Sequence, residues 1–318
     1  MNRHSLTGLD GQNPLGFLAA LGLLRIADLH AAASGSDAPR LAFDTGARSF
    51  AQIDSSISLD ALIDLVLDDA EQQASSLLTS LSYDDEGREV EPGTKGAVRD
   101  LKPSPSFART LLQRAAAGER RDADLLAALF SDVATDNNGR TKPTAFHFTA
   151  GQQQFVEMVQ SLRQGVGRHD LEEALLGPWR GASALPSLSW DATQARLYAL
   201  RATNPSSEKR GSVAGANWLA FQGLAYFPVW ARRGRLQTTA VRGGWKNAHF
   251  CWPLWEVPAT SAALRSLLVC NVASWTEAER RARGVRVVLA SRIERSDQGG
   301  YGSFTPAAPV LANPDEEP

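Results

Sequence analysis

The strongest hydrophobic pattern in the chain lies near its start and predicts a buried helix. Leucines recur at helical spacing over residues 15–24, and further apolar residues make the segment hydrophobic on nearly every side. Asn13 is a favourable N-cap residue, and Pro14 suits the first helical position. Small residues such as Gly16 and Gly22 let a neighbouring helix or sheet approach the backbone closely. We therefore expect this helix in the middle of the N-terminal half.

Apolar periodicity along the rest of the chain predicts alternating helices and strands. The predicted helices cover residues 59–67, 70–81, 107–116, 125–130, 152–162, 214–227 and 261–269, and the predicted strands cover 40–43, 145–149, 196–201, 236–242, 249–255 and 285–293. This pattern is typical of an α+β, or mixed α/β, fold. We expect two lobes. The N-terminal lobe is helix-rich around the buried helix, and the C-terminal lobe has an antiparallel or mixed sheet with helices.

Charge separates along the chain more than the net charge of −2 suggests. The first 100 residues contain 7 basic and 16 acidic side chains, whereas residues 176–296 contain 17 basic and 6 acidic ones. The first segment therefore carries −9 and the second carries +11. An electropositive end of this kind attracts phosphate, although solvated surface charge without a partner explains the same counts equally well.

These patterns set the expected domain boundaries. Residues 1–170 form the acidic N-terminal lobe, and 84–105 within it form a long surface loop, because that segment is rich in Asp, Glu, Gly, Lys and Pro. Residues 171–306 form the basic, tryptophan-rich C-terminal lobe. The polar residues 307–318 are expected to form a disordered acidic tail.

The sequence favours a cytoplasmic protein. Its longest uninterrupted apolar stretch, residues 14–24, is about half the length that crosses a bilayer, and the residues before it lack a basic run and a cleavage site. The two cysteines, Cys251 and Cys270, cannot build a disulfide framework and match no redox spacing. We therefore expect reduced thiols and no membrane contact.

Complete catalytic motifs are missing from the sequence. It contains no Walker A loop, no G-x-G-x-x-G turn, no H-E-x-x-H and no G-x-S-x-G elbow, and its five histidines lack metal-ligand spacing. Asp132 and Asp136 lie in a segment that could supply oxygen ligands to a divalent metal, although Asp, Asn and Gly together more often form a turn. We therefore predict a protein that is not an enzyme and holds no cofactor or metal. A metal-dependent nuclease that uses these two carboxylates is the third hypothesis.

Seven of the eight tryptophans fall in the second half of the chain, between residues 179 and 255, and are interleaved with basic residues. Trp218, Trp252 and Trp255 stand in apolar runs, so we expect them in the core. Trp245 differs because it stands in R-G-G-W-K, a basic loop with two glycines that gives it no core role.

Basic residues in the same half are the candidate contacts to nucleic acid. The run W-A-R-R-G-R over 230–235 concentrates three arginines in a connection between a helix and a strand, where a plain solvated turn is the competing interpretation. Guanidinium groups hold phosphates, while indole rings stack on bases. The candidate nucleic-acid-binding residues are Lys209, Arg210, Arg232, Arg233, Arg235, Arg242, Trp245 and Lys246.

The opening block L-D-G-Q-N-P-L-G-F-L-A-A-L-G-L-L-R, residues 9–25, resembles the N-terminal signature of proteins encoded with type I-U, also called type I-G, CRISPR systems. Three later blocks are similar to large-subunit or accessory proteins of that group: L-P-S-L-S-W-D-A…R-L-Y-A-L-R-A over 185–202, A-N-W-L-A-F-Q-G-L-A-Y-F-P over 216–228, and F-C-W-P-L-W-E-V-P over 250–258. These blocks consist mostly of core-type residues. None of them identifies a residue that reads a DNA motif.

The resemblance implies a subunit of an RNA-guided surveillance complex, in which large subunits contact crRNA, sense the short duplex motif beside the target and help to open the DNA. The implied partners are crRNA, target DNA and other CRISPR effector subunits. The leading hypothesis is a non-catalytic, Cascade-like subunit that binds nucleic acid through its basic half. The alternative is an assembly or regulatory factor that binds other subunits through an apolar, tryptophan-rich surface and does not contact nucleic acid.

Overall fold

The computed structural model describes residues 1–194, 211–295 and 301–311 of the chain. The helices are α1 Pro14–Ser34, α2 Leu59–Gln72, α3 Pro105–Ala117, α4 Arg120–Leu129, α5 Phe155–Gly165, α6 Arg168–Leu176, α7 Ala214–Gly223, α8 Ser261–Leu268 and α9 Glu277–Ala282. The strands are β1 Asn2–Asp10, β2 Arg40–Phe43, β3 Phe50–Ser55, β4 Phe130–Thr135, β5 Thr141–Pro143, β6 Val229–Arg232, β7 Arg235–Thr238, β8 Val241–Arg242, β9 His249–Trp255, β10 Ala259–Thr260, β11 Val285–Arg295, β12 Gly302–Phe304 and β13 Ala308–Pro309.

The strands form two larger antiparallel sheets and two short ribbons. The first sheet has the strand order β1-β3-β2-β10, and the second has the order β12-β11-β9-β8, with β13 also paired to β11. The ribbons are β4–β5 and β6–β7. Helices and antiparallel sheets in one chain confirm the predicted α+β fold class.

Helix α1 forms the centre of the core, as its all-round hydrophobicity predicts. The side chain of Asn13 caps it by accepting a hydrogen bond from the Leu15 amide at 3.1 Å, and Gly35 ends it in a left-handed conformation. The helix is long and apolar enough to cross a bilayer, yet 78% of its most apolar window is buried inside the protein. This burial is what a core helix of a globular fold shows.

Elements from both halves of the chain meet in one main core. Helix α1 packs along α7, and β10 from the second half pairs with β2 from the first. Phe17 and Phe43 pack against Trp252 and Trp255, so aromatic rings also cross between the halves. The two predicted lobes therefore share a continuous hydrophobic core.

The predicted helix over 70–81 is wrong. Helix α2 continues to Gln72, and a single 3-10 turn over Gln73–Ser75 follows it. The chain then leaves the helical path because the carboxylate of Asp122 binds the Ser76 hydroxyl and accepts a 3.0 Å hydrogen bond from the Leu77 amide. Such side-chain bonds to the backbone compete with helix continuation.

The predicted strand over 145–149 is also wrong, although its aromatic residues are buried as expected. Its residues form no regular strand: the Phe148 carbonyl accepts a 3.2 Å hydrogen bond from the Gly302 amide of β12, and the guanidinium of Arg295 donates hydrogen bonds to the carbonyl oxygens of Ala145 and His147, at 2.7 and 3.0 Å. His147 is a packed, buried histidine, as predicted, and bonds to Asp100 and Thr149 at 2.7 and 2.8 Å. The predicted strand over 196–201 lies outside the described residues.

Two predicted irregular segments have different outcomes. Between Tyr83 and α3, the chain forms neither helix nor regular strand, which agrees with the predicted long loop. Isolated bridges from Tyr83 to Glu89 and Val98 hold this loop to the protein. The predicted disordered tail is wrong at its start, because β13 pairs with β11 and the Val310 amide donates to the Val288 carbonyl at 2.8 Å.

Candidate nucleic-acid interface

The ribbon of β6 and β7 brings three of the predicted arginines together. Its two-residue turn consists of Arg233 and Gly234, with φ angles of 52° and 71°, which suit the type I′ turns that join tightly paired strands. The register pairs Arg232 with Arg235, and Trp230 with Gln237. Because side chains alternate along a strand, Trp230, Arg232, Arg235 and Gln237 share one face. We call these four residues the ribbon face.

The ribbon face is open to solvent and carries uncompensated charge. Arg232, Arg233 and Arg235 are exposed, and no carboxylate of the described residues lies within ion-pair distance of them. Trp230 is 49% exposed. The opposite face of the ribbon packs towards β4, and Thr238 at its base accepts a 3.0 Å hydrogen bond from the Ala145 amide. The ribbon is therefore anchored on one side and free on the other.

A second cationic group lies on the solvent side of the larger C-terminal sheet. Arg242 on β8 is directly opposite His249 on β9, and His249 is directly opposite Arg292 on β11. All three side chains are exposed, whereas the next residues in register, Phe250 and Ser291, are buried on the core side. Opposite residues have Cβ atoms about 4.5–5.5 Å apart, so the three form a continuous line across the strands. We call them the cationic row.

Trp245 and Lys246 lie in the loop that joins β8 to β9, next to the cationic row. Trp245 is 61% exposed, and the guanidinium carbon of Arg295 lies 3.8 Å from its ring centroid. Burial lowers the pKa of Arg295 to about 10, so the group remains a cation near neutral pH. The indole therefore has one ring face against a cation and exposed area for a further planar group.

The predicted contacts thus separate into two surfaces. Arg232, Arg233 and Arg235 lie on the ribbon, while Arg242, Trp245 and Lys246 lie at the β8–β9 connection. Lys209 and Arg210 fall outside the described residues. Four residues of these surfaces, Trp230, Gln237, His249 and Arg292, were not among the predicted contacts. The W-A-R-R-G-R spacing could have identified Trp230, because an Arg-Gly turn places it on the same face as both flanking arginines.

Four of the eight tryptophans are buried in the core. Trp218, Trp252 and Trp255 are buried, which confirms the prediction for each of them, and Trp190 is buried as well. The indole nitrogens of Trp252 and Trp255 donate to the carbonyl oxygens of Gly11 and Leu41 at 2.9 and 2.7 Å. Of the tryptophans in the described residues, Trp230 and Trp245 are the exposed ones.

The carboxylates of the nuclease hypothesis have structural partners. Asp132 forms an ion pair with Arg109 at 2.8 Å, and Asp136 accepts hydrogen bonds from the amides of Asn138 and Arg140 at 2.9 and 3.0 Å. The hydrogen bonds to Asp136 form an Asx turn, and a turn was the competing interpretation of this segment. Within the described ranges, no group of three or more His, Cys, Asp or Glu residues is arranged to hold a metal ion.

A scan against protein-family models finds no match to this chain, and a search of curated proteins finds no match either.

Proposed function

We propose that this protein is a non-catalytic, nucleic-acid-binding subunit of a cytoplasmic type I-G CRISPR surveillance complex. In this proposal its partners are crRNA, target DNA and the other effector subunits. One observation carries it: Trp230 shares an exposed face with Arg232 and Arg235, and no carboxylate of the described chain neutralises these arginines. An indole and two guanidinium groups on one rigid surface are suited to stack on a base and to hold its flanking phosphates.

Charge distribution supports the same assignment. Both surfaces lie in the segment of the chain that carries +11, and the cationic row adds Arg242 and Arg292 to the ribbon arginines. A protein that neutralises phosphates releases counterions, so several weak contacts together give substantial affinity that salt opposes. Contacts to nucleic-acid phosphates and stacking on bases depend little on the nucleotide sequence. A subunit needs binding of this kind when a guide RNA supplies the sequence specificity.

The resemblance to type I-G proteins supports the proposal at the level of fold and context. The blocks at 9–25, 216–228 and 250–258 correspond to α1, α7 and β9, which pack together in the core. These elements form the scaffold of both surfaces. The ribbon follows α7 in the chain, and β9 is the central strand of the cationic row.

The experiment that tests this proposal measures binding of the full chain to labelled RNA, single-stranded DNA and duplex DNA over a salt series. The test variant changes Arg232, Arg233, Arg235 and Lys246 to alanine, and circular dichroism checks that it folds. We expect binding by the wild type that weakens as salt rises, and much weaker binding by the variant. Absence of binding to all three nucleic acids would overturn the proposal and favour the assembly role, which co-purification with other subunits would then test.

A further inference from the structure

A cleft of about 750 Å³ has no lining residue in common with the two cationic surfaces. Its walls come from the end of β1 and its connection to α1, from the β2–β3 loop with Phe50, and from residues 177–181, 191–193, 211, 213 and 306–307. Small-molecule sites in proteins measure roughly 300–1,000 Å³, so the cleft has the volume for a ligand of moderate size.

Hydrogen bonds between the walls fix the shape of the cleft. The side-chain amide of Gln12 donates a hydrogen bond to the Ala47 carbonyl at 3.0 Å and so joins the β1–α1 connection to the β2–β3 loop. Asn13 donates to the Asp191 carboxylate at 2.8 Å, which joins the same connection to the third wall. Thr7 donates to the carbonyl of Leu176 at 2.7 Å, beside the 177–181 segment. The cleft is therefore formed before a ligand arrives.

Two arginines on different walls line the cleft together with the carboxylates of Asp10 and Asp191. Arg48 comes from the β2–β3 loop and Arg180 from the 177–181 segment, and both are exposed. Neither guanidinium has an ion-pair partner among the carboxylates of the described chain. The backbone that carries Arg180 is held in place, since the amides of Arg180 and Gly181 both donate to Glu173. Guanidinium groups bind phosphate oxygens with charge-assisted hydrogen bonds, so each of the two can hold an anionic ligand in the cleft.

The remaining walls suit a planar ring with polar edges. Phe50 and Trp179 line the cleft as half-buried aromatic side chains, and Pro178 and Val213 add apolar surface. Asp10 also lines the cleft, and one oxygen of its carboxylate accepts a hydrogen bond from the backbone amide of Gln12 at 2.9 Å. A carboxylate beside aromatic walls accepts hydrogen bonds from sugar hydroxyls or exocyclic amino groups.

The geometry points to a binding site for a nucleoside phosphate, with the phosphate between Arg48 and Arg180 and the base against the aromatic walls. This site goes beyond the proposed nucleic-acid interface, because it shares no residue with the ribbon face or the cationic row. The ligand class follows from the combination of two unpaired guanidinium groups, an acceptor carboxylate and aromatic surface in one preformed cleft.

Isothermal titration calorimetry of the full chain with AMP, GMP, CMP, UMP and inorganic phosphate tests this inference. We expect at least one of the nucleotides to bind, and inorganic phosphate to bind at least about tenfold more weakly. Arg48→Ala and Arg180→Ala are each expected to weaken nucleotide binding about tenfold or more. The matched control Arg120→Ala/Arg281→Ala removes two exposed arginines outside the cleft and both cationic surfaces and is expected to leave it unchanged.

Three results would overturn the inference: no binding of any of the four nucleotides, equal affinity for nucleotide and inorganic phosphate, or unchanged nucleotide binding in both arginine variants. A separate ribbon variant, Arg232→Ala/Arg235→Ala, distinguishes this site from the proposed function. If it loses affinity for nucleic acid but retains the nucleotide, the two surfaces bind independently. If cleft variants lose the nucleotide but retain nucleic acid, the same conclusion holds.

Discussion

Gly22 of α1 and Gly223 of α7 face each other where the two central helices touch. A Cβ atom on Gly22 would lie 1.7 Å from the carbonyl oxygen of Leu219, and one on Gly223 would lie 2.1 Å from the carbonyl oxygen of Leu18. Real Cβ atoms do not approach backbone oxygens this closely, so the two helices can pack at this distance only because both positions lack a side chain. This contact joins the two halves of the chain in one core.

Gly22→Ala and Gly223→Ala are each expected to destabilise the protein by about 1–3 kcal/mol, because the added methyl group forces the backbones apart. The loss exceeds the gain in helix propensity, which favours alanine by about 1 kcal/mol. Urea denaturation measures the change. Gly244→Ala is the matched control, since no atom lies within 4 Å of its Cβ position, and it is expected to stay within about 0.5 kcal/mol of the wild type. Wild-type stability in both helix variants would contradict this packing.

Much of this core could be predicted from local patterns. The small residues of the first helix predicted a close neighbour, and the contact at Gly22 agrees. Strand β1 was missed because it buries only Leu6 and Leu9 and so lacks a clear alternating pattern. The 145–149 segment was predicted as a strand because its apolar residues alternate, but its carbonyl groups bind Arg295, which is distant in sequence. Long-range partners of this kind leave no local signal.

The candidate interface could likewise be predicted only in part from the sequence. Sequence composition located the arginines and the exposed Trp245, because basic residues near glycines rarely pack in a core. The cationic row required knowledge of register, since Arg242, His249 and Arg292 lie on three strands. The cleft could be found only in the folded structure, because Arg48 and Arg180 are more than a hundred positions apart and line one cleft only when β1 and α6 pack together.

Acid stability depends on Asp100 and its bond to His147. Burial raises the pKa of Asp100, but the interaction with His147 and the hydrogen bonds from the backbone amides of Leu101 and Phe155 together outweigh burial, so the pKa lies below its ordinary value. A carboxyl with a depressed pKa stabilises the fold above its unfolded pKa of about 3.9, and this stability is lost as pH falls through the folded pKa.

Asp100→Asn is therefore expected to lower the free energy of unfolding at pH 7 by about 1–3 kcal/mol and to flatten its decline below about pH 5. Urea denaturation at a series of pH values measures both effects. Asp85→Asn removes the same charge from an exposed position of the same loop, so it serves as the control. An equally steep decline in Asp100→Asn and wild type would show that this pair does not control acid stability.

Trp230 is expected to contribute binding but little stability. Trp230→Ala should weaken binding to single-stranded nucleic acid by about 1–3 kcal/mol, because a stacked base is lost, while the thermal midpoint changes little at this exposed site. Trp230→Phe keeps an aromatic face and should retain most of the affinity. Fluorescence anisotropy with a labelled oligonucleotide measures binding. Equal affinity of Trp230→Ala and wild type would remove Trp230 from the interface.

The cationic row is expected to contact the same nucleic acid as the ribbon face. Arg242→Ala/Arg292→Ala should weaken binding, and its loss in binding free energy should add to that of Arg232→Ala/Arg235→Ala, because the two pairs share no contact. Competition binding at one fixed salt concentration measures the affinity of each double variant and of the variant that combines all four substitutions. Full affinity in the row variant would limit the interface to the ribbon.

The dependence of nucleic-acid affinity on salt tests the central claim most directly. Wild type, Arg232→Ala/Arg235→Ala and the control Arg120→Ala/Arg281→Ala, which also removes two exposed arginines, are titrated with single-stranded RNA across a salt series. The plot of log affinity against log salt should be shallower for the ribbon variant by about 1.4, at roughly 0.7 per lost phosphate contact, and unchanged for the control. Equal slopes for all three proteins would contradict direct phosphate contact by the ribbon face.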